Sequence, residues 1–172
     1  MQPLVPIEVD AATGVWSTDG LPMLYVPRHF LVNNHRMTEE ALGRERYARM
    51  LHEPGHRSAW FWCASEAKTH ALDGMAVFEH YLKRLSQRGW GQFSLAFADA
   101  TEGRAEIRVQ HSAFVLAAAP GSGGRLCYMF AGWFAGAMDW VAQSRGLEMK
   151  TTCSETQCAS EGASHCVFSV AP

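Results

Sequence analysis

The stretch WGQFSLAFADATEGRAEIRVQHSAFV, residues 90–115, is where the hydrophobic period of this chain changes to two. The odd positions of 93–97 are apolar, and so are the odd positions of 105–109. Polar residues stand between them, and the sequence DATEG, typical of a turn, separates the two runs. Alternation of this kind predicts an antiparallel β-hairpin with one dry face and one face in water.

The residues before this hairpin follow a helical period. A first main helix is predicted over 38–53, with Thr38 as its N-cap and Pro54-Gly55 as its end. A second follows over 58–72, and a third over 74–88. The second has apolar or small residues at helical spacing, which predicts one buried face: Trp60, Cys63, Ala64, Ala67 and Ala71. Because Pro54 should break the helix between His52 and His56, these two histidines are not predicted to form a metal pair.

The residues after the hairpin predict a further helix and two more strands. The helix covers 125–146, and its glycines Gly132 and Gly136 stand four apart, so another backbone is expected to approach that face. The strands lie near 147–155 and 165–170. The order of elements predicts an α+β fold, an antiparallel sheet of hairpins packed against helices in a single domain. The domain is expected to span 23–172, after an irregular N-terminal arm at 1–22 rich in Pro, Gly and Asp.

The composition restricts the class of protein. The net charge of −2 lacks the basic excess that a nucleic-acid-binding surface needs, so no nucleic-acid partner is expected. The first residues have neither the charged nor the apolar region of a signal peptide. The longest apolar run, residues 127–142, contains Asp139 and is too short for a membrane span. We therefore expect a cytoplasmic protein, in which the five cysteines stay reduced.

A cluster of cysteines near the C-terminus indicates a metal site. In CSETQCASEGASHC, residues 153–166, Glu155 and Cys158 stand three apart, and Cys166 follows eight residues later across a turn that contains Gly162. A hairpin would bring these three side chains together, and thiolates with one carboxylate suit a tetrahedral zinc ion. The alternative is a group of buried free cysteines, which is a common environment for this residue.

A zinc ion would need a fourth ligand, and the spacing leaves its identity open. Cys153 shares a strand face with Glu155 but lies close to it along the strand. His165 would point away from the side of Cys166 on a strand. Cys127, at the start of the helix that contains the glycines, is the remaining well-placed residue.

The same residues form a pattern that resembles a known family. The segments CYMFAGWFAG (127–136), ETQC (155–158) and EGASHCVF (161–168) are similar to the 4-vinyl-reductase domain. That family is named after a bacteriochlorophyll-synthesis protein, and it also forms the sensory module of the phenol- and xylene-responsive activators of sigma-54 promoters. The resemblance covers a motif core at about 126–170.

The resemblance implies a set of zinc ligands. The matching positions are Cys127, Glu155, Cys158 and Cys166, which in the sensory modules hold a structural zinc. Four protein ligands leave no open position for a reacting water, so the zinc is expected to be structural rather than catalytic. One difference from the sensory modules is a somewhat longer segment between Gly136 and Glu155, which leaves Cys153 as an extra thiol.

A ligand pocket is predicted beside the 90–115 hairpin. His111 occupies an odd position, so it is expected to face the dry side with Val109 and Ala113, as a polar anchor in an apolar cavity or as a hydrogen-bonded core histidine. His80 is a second candidate of the same kind. The aromatic walls of this pocket would be Trp60, Phe78, Tyr81, Trp90 and Phe93.

The function expected from these features is that of a stand-alone cytosolic zinc-containing domain. It would bind a small, mostly apolar molecule, an aromatic one included, as a sensor or carrier, and it would pass any signal to a separate protein partner. A homodimer is expected from the resemblance, because the sensory modules pair through their N-terminal elements. The rival interpretation is an enzyme or enzyme-accessory protein, such as a reductase-like component of a catabolic or tetrapyrrole-type pathway; a third is an assembly role. No nucleophile with a recognisable base supports catalysis.

Overall fold

The computed structural model describes residues 4–118 and 123–172. Three short strands come first and are followed by three long helices. A two-stranded hairpin, a short helix, a long helix and a final hairpin complete the chain. In order, the elements are β1 (Glu8–Val9), β2 (Trp16–Thr18), β3 (Leu21–Met23), α1 (Arg28–Leu42), α2 (Arg44–His70), α3 (Gly74–Gln87), β4 (Gln92–Asp99), β5 (Arg104–Gln110), α4 (Ala113–Ala117), α5 (Phe130–Ser144), β6 (Thr152–Gln157) and β7 (Cys166–Ala171).

The strands form two antiparallel sheets. The main sheet has the order β4-β5-β7-β6, so that the final hairpin pairs with the first through β5 and β7. The small sheet has the order β1-β2-β3 and lies in the segment that was predicted to be an irregular arm. The predicted α+β class is confirmed, whereas the irregular structure predicted for 1–22 is wrong. Strands of two and three residues carry too little alternation to be recognised in a sequence.

The hairpin predicted at 90–115 is present as β4 and β5. Its dry face includes Ile107 and Val109, which are fully buried, and Arg108 on the other face is exposed. Phe97 departs from the prediction because the register shifts between Leu95 and Phe97, which moves the Phe97 ring to a site that is 55% exposed. A bulge inserts one residue and inverts the alternation beyond it.

The core lies between the main sheet and α5. Phe130 and Phe134 of α5 are fully buried, and the ring of Phe134 packs edge-on against Phe168 of β7 with 5.0 Å between the centroids. Phe93 of β4 contacts the same two α5 rings. Edge-to-face packing of this kind adds to the free energy from apolar burial.

The helix α2 packs on the opposite side of α5, along the glycine face predicted from the sequence. A Cβ atom on Gly132 would collide with the backbone carbonyl of His52, and one on Gly136 with that of His56. The prediction of a close backbone approach at these glycines is confirmed. It brings the two helices close enough for the imidazole of His56 to reach the Asp139 carboxylate, with 2.8 Å between Nε2 and Oδ2.

The helix α2 continues through Pro54 and Gly55, where the sequence predicted an end. Gly55 is buried against the indole of Trp133 and has a packing role there, because a Cβ would lie 2.8 Å from Cδ1 of that ring. Tertiary contact along the helix thus overrides the local breaking tendency of Pro54. No helix among the described residues is long and apolar enough to span a membrane.

The buried face of α2 is shifted from the predicted one by one residue. Ala59, Trp62, Cys63 and Glu66 are buried, whereas Trp60 is 36% exposed and donates its indole N–H to Gln143 of α5 at 3.1 Å. The predicted placement of Trp60 in the core is wrong, because the unbroken helix has a different orientation from a separate helix that starts after Pro54.

Candidate metal centre

Four buried side chains meet where the last hairpin joins the start of α5. Cys127 lies three residues before α5, Glu155 is in β6, Cys158 follows the end of β6, and Cys166 begins β7. The chain reverses between the two strands through a short 3-10 turn that ends at Gly162, whose φ of 97° is a backbone conformation that favours glycine. This turn brings Cys158 and Cys166 together on one side of the hairpin.

The separations of the thiols match those expected for ligands of one ion. The Sγ atom of Cys166 lies 3.7 Å from that of Cys127 and 3.7 Å from that of Cys158. Zinc–thiolate bonds of about 2.3 Å at tetrahedral angles would place sulfur atoms about 3.8 Å apart. The ligand atoms of all four residues, including an oxygen of Glu155, lie within 4.8 Å of one another. All five cysteines of the chain are free, so no disulfide explains this proximity.

Hydrogen bonds from neighbouring groups hold the four side chains in place. The backbone N–H of Cys127 donates to Oε2 of Glu155 at 2.9 Å, and the N–H of Ala159 donates to the Cys166 sulfur at 3.3 Å. The hydroxyl of Ser160 donates to the Cys158 sulfur at 3.0 Å. Donors directed at sulfur stabilise thiolates and are typical of the surroundings of metal ligands.

The Cys127 sulfur has a further polar neighbour in Ser112, whose Oγ lies 3.0 Å away. Ser112 caps α4 by accepting a hydrogen bond from the N–H of Phe114 at 3.3 Å. Its hydroxyl proton is therefore free to be donated to the sulfur. No pattern in the sequence indicates this residue, because its contact with Cys127 depends on the tertiary structure.

The ionisation of the cluster shows what a cation would change. Hydrogen bonds from the thiols of Cys127 and Cys166 hold the pKa of Cys158 well below its ordinary value. Hydrogen bonding to Cys158, together with burial, raises the pKa of Cys127, and burial raises the pKa of Glu155 to about 9. Without a metal, one thiolate therefore carries the charge and the other groups keep their protons. A divalent cation would replace these protons.

One oxygen of Glu155 supports a metal ligand role. The residue is 4% exposed, and its Oε1 atom has no hydrogen-bond partner among the described residues. A buried carboxylate oxygen without a partner is costly, and a bound cation would satisfy it. Three sulfurs and one oxygen in a dry site fit zinc, which accepts such ligands in closed tetrahedral sites.

Two family models match the chain. Residues 1–96 match a family described as a domain of unknown function, DUF5943, and residues 106–172, which contain all four cluster residues, match the vinyl-4-reductase domain. The chain belongs to the DUF5943 family and carries a vinyl-4-reductase domain. The resemblance to the 4-vinyl-reductase family is confirmed by this match and by the likeness to solved structures. No protein of curated function matches the chain.

Three solved structures share the fold. The phenol-responsive sensory domain of the transcription activator PoxR, solved with phenol, superposes with a TM-score of 0.76 at 14% identity over 96% of this chain and 84% of that one. A trafficking protein particle complex subunit 3 from Naegleria fowleri, covalently bound to palmitic acid, has a TM-score of 0.56 at 13% identity over 84% and 93%. A vinyl-4-reductase family protein from Methanocaldococcus jannaschii has a TM-score of 0.53 at 13% identity over 86% and 82%.

The structure corrects the predicted position of His111 in this vinyl-4-reductase domain. The strand β5 ends at Gln110, and His111 has a φ of 52° and an exposed side chain. The alternation of the strand therefore does not extend to this residue. The prediction that His111 faces the core is wrong, and a pocket anchored by it loses its support.

The other predicted pocket residues lie in different surroundings. Phe78 and Tyr81 are buried core residues of α3, and Phe93 packs on α5. His80 lies beside the buried carboxylate of Glu66. Trp90 does line a cavity, but this cavity lies on the N-terminal side of the hairpin.

The cavity at Trp90 has a volume of about 530 Å³ and lies between the N-terminal sheet and the end of α3. Its walls are mostly apolar, with a few polar groups and no acidic residue among the described residues that line it. They consist of residues 5, 7, 16–18, 23–28, 31, 87–90 and 113. A second cavity of about 540 Å³ is lined by residues 14–16 and 22–25 alone, so it belongs to the small sheet and has no described wall from the vinyl-4-reductase domain.

A second group of metal-ligand residues was missed in the sequence. Glu66 and His70 of α2 approach His80 of α3, and their ligand atoms lie within 4.8 Å of one another. Glu66 and His70 stand four apart on one helix, which is a spacing that places two ligands on the same face. That spacing was the available signal, although the contribution of α3 depends on the packing of the two helices.

Proposed function

We propose that this protein is a zinc-containing domain that binds a small, mostly apolar molecule as a sensor or carrier. The observation that carries the proposal is the cavity of about 530 Å³ at the junction of the N-terminal sheet and α3. This volume is within the range of small-molecule sites, which are typically apolar with a few polar groups.

The zinc has a structural role in this proposal. Cys127, Glu155, Cys158 and Cys166 would supply all four ligands, and a closed set leaves no position for an activated water. The zinc would connect the last hairpin to the start of α5, which are far apart in the sequence. The proposed function is therefore binding, with no catalytic step assigned to the metal.

The cavity walls favour a guest with an apolar body and one acceptor group. Trp16, Met23 and Trp90 provide apolar surface, and the polar lining includes the guanidinium groups of Arg28 and Arg88. Because the described lining contains no acidic residue, a carboxylate or a phenolic oxygen would meet donors without repulsion. An aromatic guest with such a group fits both features.

The fold is consistent with this assignment. The solved domain of PoxR with the same fold is described as phenol-responsive, and it was solved with phenol. At 14% identity the likeness concerns the fold, so the identity of the guest rests on the cavity of this chain. The proposed guest is thus defined by size, apolarity and one acceptor group.

We further propose that the protein acts in the cytoplasm as a homodimer and reports to a separate protein partner. All five cysteines are free, as expected where thiols stay reduced. The N-terminal segment exposes large apolar side chains, including Leu24 at 87% and Tyr25 at 85%. Surfaces of this kind commonly mark contacts with another protein, here a second copy.

The proposal is tested by an unbiased mass-spectrometric search for small molecules that co-purify with the native protein, followed by calorimetric titration of the compounds found. The variant Met23→Trp places a larger side chain at the cavity wall and is expected to lose the guest. The matched control Met37→Trp changes an exposed methionine of α1 that does not line the cavity, and it is expected to retain the guest.

Two results would contradict the proposal. One is the absence of any co-purifying compound, together with no calorimetric binding of small aromatic acids and phenols to the wild-type protein. The other is equal binding by Met23→Trp and Met37→Trp, which would place the guest in another part of the molecule.

A further inference from the structure

A second group of metal-ligand side chains lies far from the cysteines, at the contact of α2, α3 and the turn between β2 and β3. Nε2 of His80 lies 2.9 Å from Oε2 of Glu66, and Nε2 of His70 lies 3.2 Å from the same oxygen. Donor atoms that occupy adjacent positions around one ion, each at about 2.1 Å from it, lie about 3.0–3.4 Å apart. The observed separations are close to this range.

The hydrogen bonding of Glu66 is incomplete without a further partner. Its side chain is fully buried, both imidazoles converge on Oε2, and Oε1 has no hydrogen-bond partner among the described residues. A purely hydrogen-bonded arrangement would be expected to distribute two donors over the two oxygens, because an unpaired buried oxygen is costly. The arrangement observed is that of three ligand atoms directed at one point.

The charges nearby leave room for a cation. The guanidinium of Arg84 pairs with Asp19 of the β2–β3 turn at 2.8 Å, whereas its Nε lies 3.9 Å from Oε2 of Glu66. Arg84 therefore compensates Asp19 first. With neutral imidazoles, the group of Glu66, Asp19 and Arg84 retains one negative charge in a buried place, and burial of an uncompensated charge is unfavourable.

We propose that Glu66, His70 and His80 bind one divalent first-row transition-metal ion through a carboxylate oxygen and two Nε2 atoms. Two imidazoles and a carboxylate are a ligand set that suits zinc, iron, cobalt or nickel, and three protein ligands leave positions open to water or a small ligand. His70 has a side chain that is 31% exposed, which gives the ion a path to the site. This site is independent of the cysteine cluster and of the proposed ligand cavity.

The position of His80 is supported by packing on its other side. Its ring stacks on the indole of Trp62, with 5.7 Å between the centroids and 20° between the planes. The ring of His70 lies 4.7 Å from that of His80. Because the imidazole of His80 is held by this stacking, the site is formed before an ion arrives. Binding should then require little rearrangement.

The test compares metal uptake by untagged wild-type protein with that of His70→Gln and His80→Gln. Protein containing its purified complement of zinc is dialysed against cobalt, and cobalt and zinc are counted per chain. The control is His29→Gln, which removes an exposed histidine on α1. We expect about one cobalt per chain in the wild type and the control, and none in the two variants, with zinc unchanged in all four.

The optical spectrum separates the two sites. Cobalt bound to nitrogen and oxygen lacks the thiolate charge-transfer bands that would appear if it displaced zinc from the cysteines. Cobalt should also raise the melting temperature of the wild type but not of His70→Gln, whose partly exposed side chain makes a folded variant expected. The proposal is overturned if the wild type takes up no cobalt, if His70→Gln takes up as much as the wild type, or if the bound cobalt shows thiolate bands.

Discussion

The Sγ atoms of Cys158 and Cys166 lie 3.7 Å apart, although the two residues are eight positions apart in the chain. Cys127 lies at the same distance from Cys166 across 39 positions. Three thiols from two distant segments therefore meet at one buried point with the carboxylate of Glu155. Without a cation, this point contains groups that cannot all ionise together.

The first prediction concerns Cys158→Ala. Removal of this ligand should abolish zinc binding and weaken the attachment of β6 and β7 to α5, because a structural zinc contributes directly to the free energy of folding. We expect the melting temperature to fall by about 10 °C or more, which corresponds to a few kcal/mol in a chain of this size, or the protein to become insoluble. Calorimetry with parallel elemental analysis measures both effects.

The matched control is Cys153→Ala. Cys153 lies on the same strand as Glu155 but outside the cluster, and it is partly exposed. This variant should keep its zinc and most of its stability. A Cys158→Ala protein as stable as Cys153→Ala would show that the site is not structural.

The second prediction compares two glycines at the contact of α2 and α5. A Cβ at Gly136 would collide with the backbone carbonyl of His56, which cannot move without displacing α2. A Cβ at Gly55 would meet the side chain of Trp133, which can shift. Gly136→Ala should therefore lower the free energy of unfolding by at least about 2 kcal/mol.

Gly55→Ala should stay within about 1 kcal/mol of the wild type, because the higher helix propensity of alanine offsets the crowding. Urea denaturation of the two variants measures the difference. Equal destabilisation by both would mean that the backbone contact of α2 with α5 is less close than the structure shows.

The third prediction concerns pH. His35 is 6% exposed, its ring packs between those of Phe114 and Tyr128, and burial lowers its pKa. The unfolded chain, with an ordinary histidine pKa of about 6.5, then binds the proton more readily than the folded one. Stability contributed by neutral His35 is thus present above about pH 6.5 and is lost as the pH falls towards the lowered folded pKa.

His35→Phe keeps an aromatic ring at this position and removes the titration. The free energy of unfolding, measured in urea at several values between about pH 5 and pH 7.5, should decline less steeply at low pH in the variant. Parallel pH profiles for the variant and the wild type would show that His35 is not the group responsible.

The sequence was sufficient for features that depend on local pattern. The hairpin of β4 and β5, the glycine face of α5 and the four cluster residues were each indicated by a period or a short motif. Other features depend on tertiary contacts: the continuation of α2 past Pro54, the bulge that exposes Phe97 and the end of β5 before His111. Each of these ends or shifts a pattern at a point that packing determines.

The fourth prediction concerns association. The exposed apolar side chains of Leu24 and Tyr25 should be covered in a homodimer, so that Leu24→Ser combined with Tyr25→Ser favours the monomer. The control combines Met37→Ser with Phe61→Ser, which removes comparably exposed apolar groups from α1 and α2. Sedimentation equilibrium of the three proteins distinguishes them. A monomeric wild type would contradict the proposed dimer.

The metal content of protein purified without added metal tests the central claim most directly. Elemental analysis, with thiol titration to confirm that the cysteines are reduced, should give about one zinc per chain in the wild type and in Cys153→Ala, and none in Cys158→Ala. Wild-type protein that is folded, fully reduced and essentially free of zinc would contradict the assignment of Cys127, Glu155, Cys158 and Cys166 as its ligands.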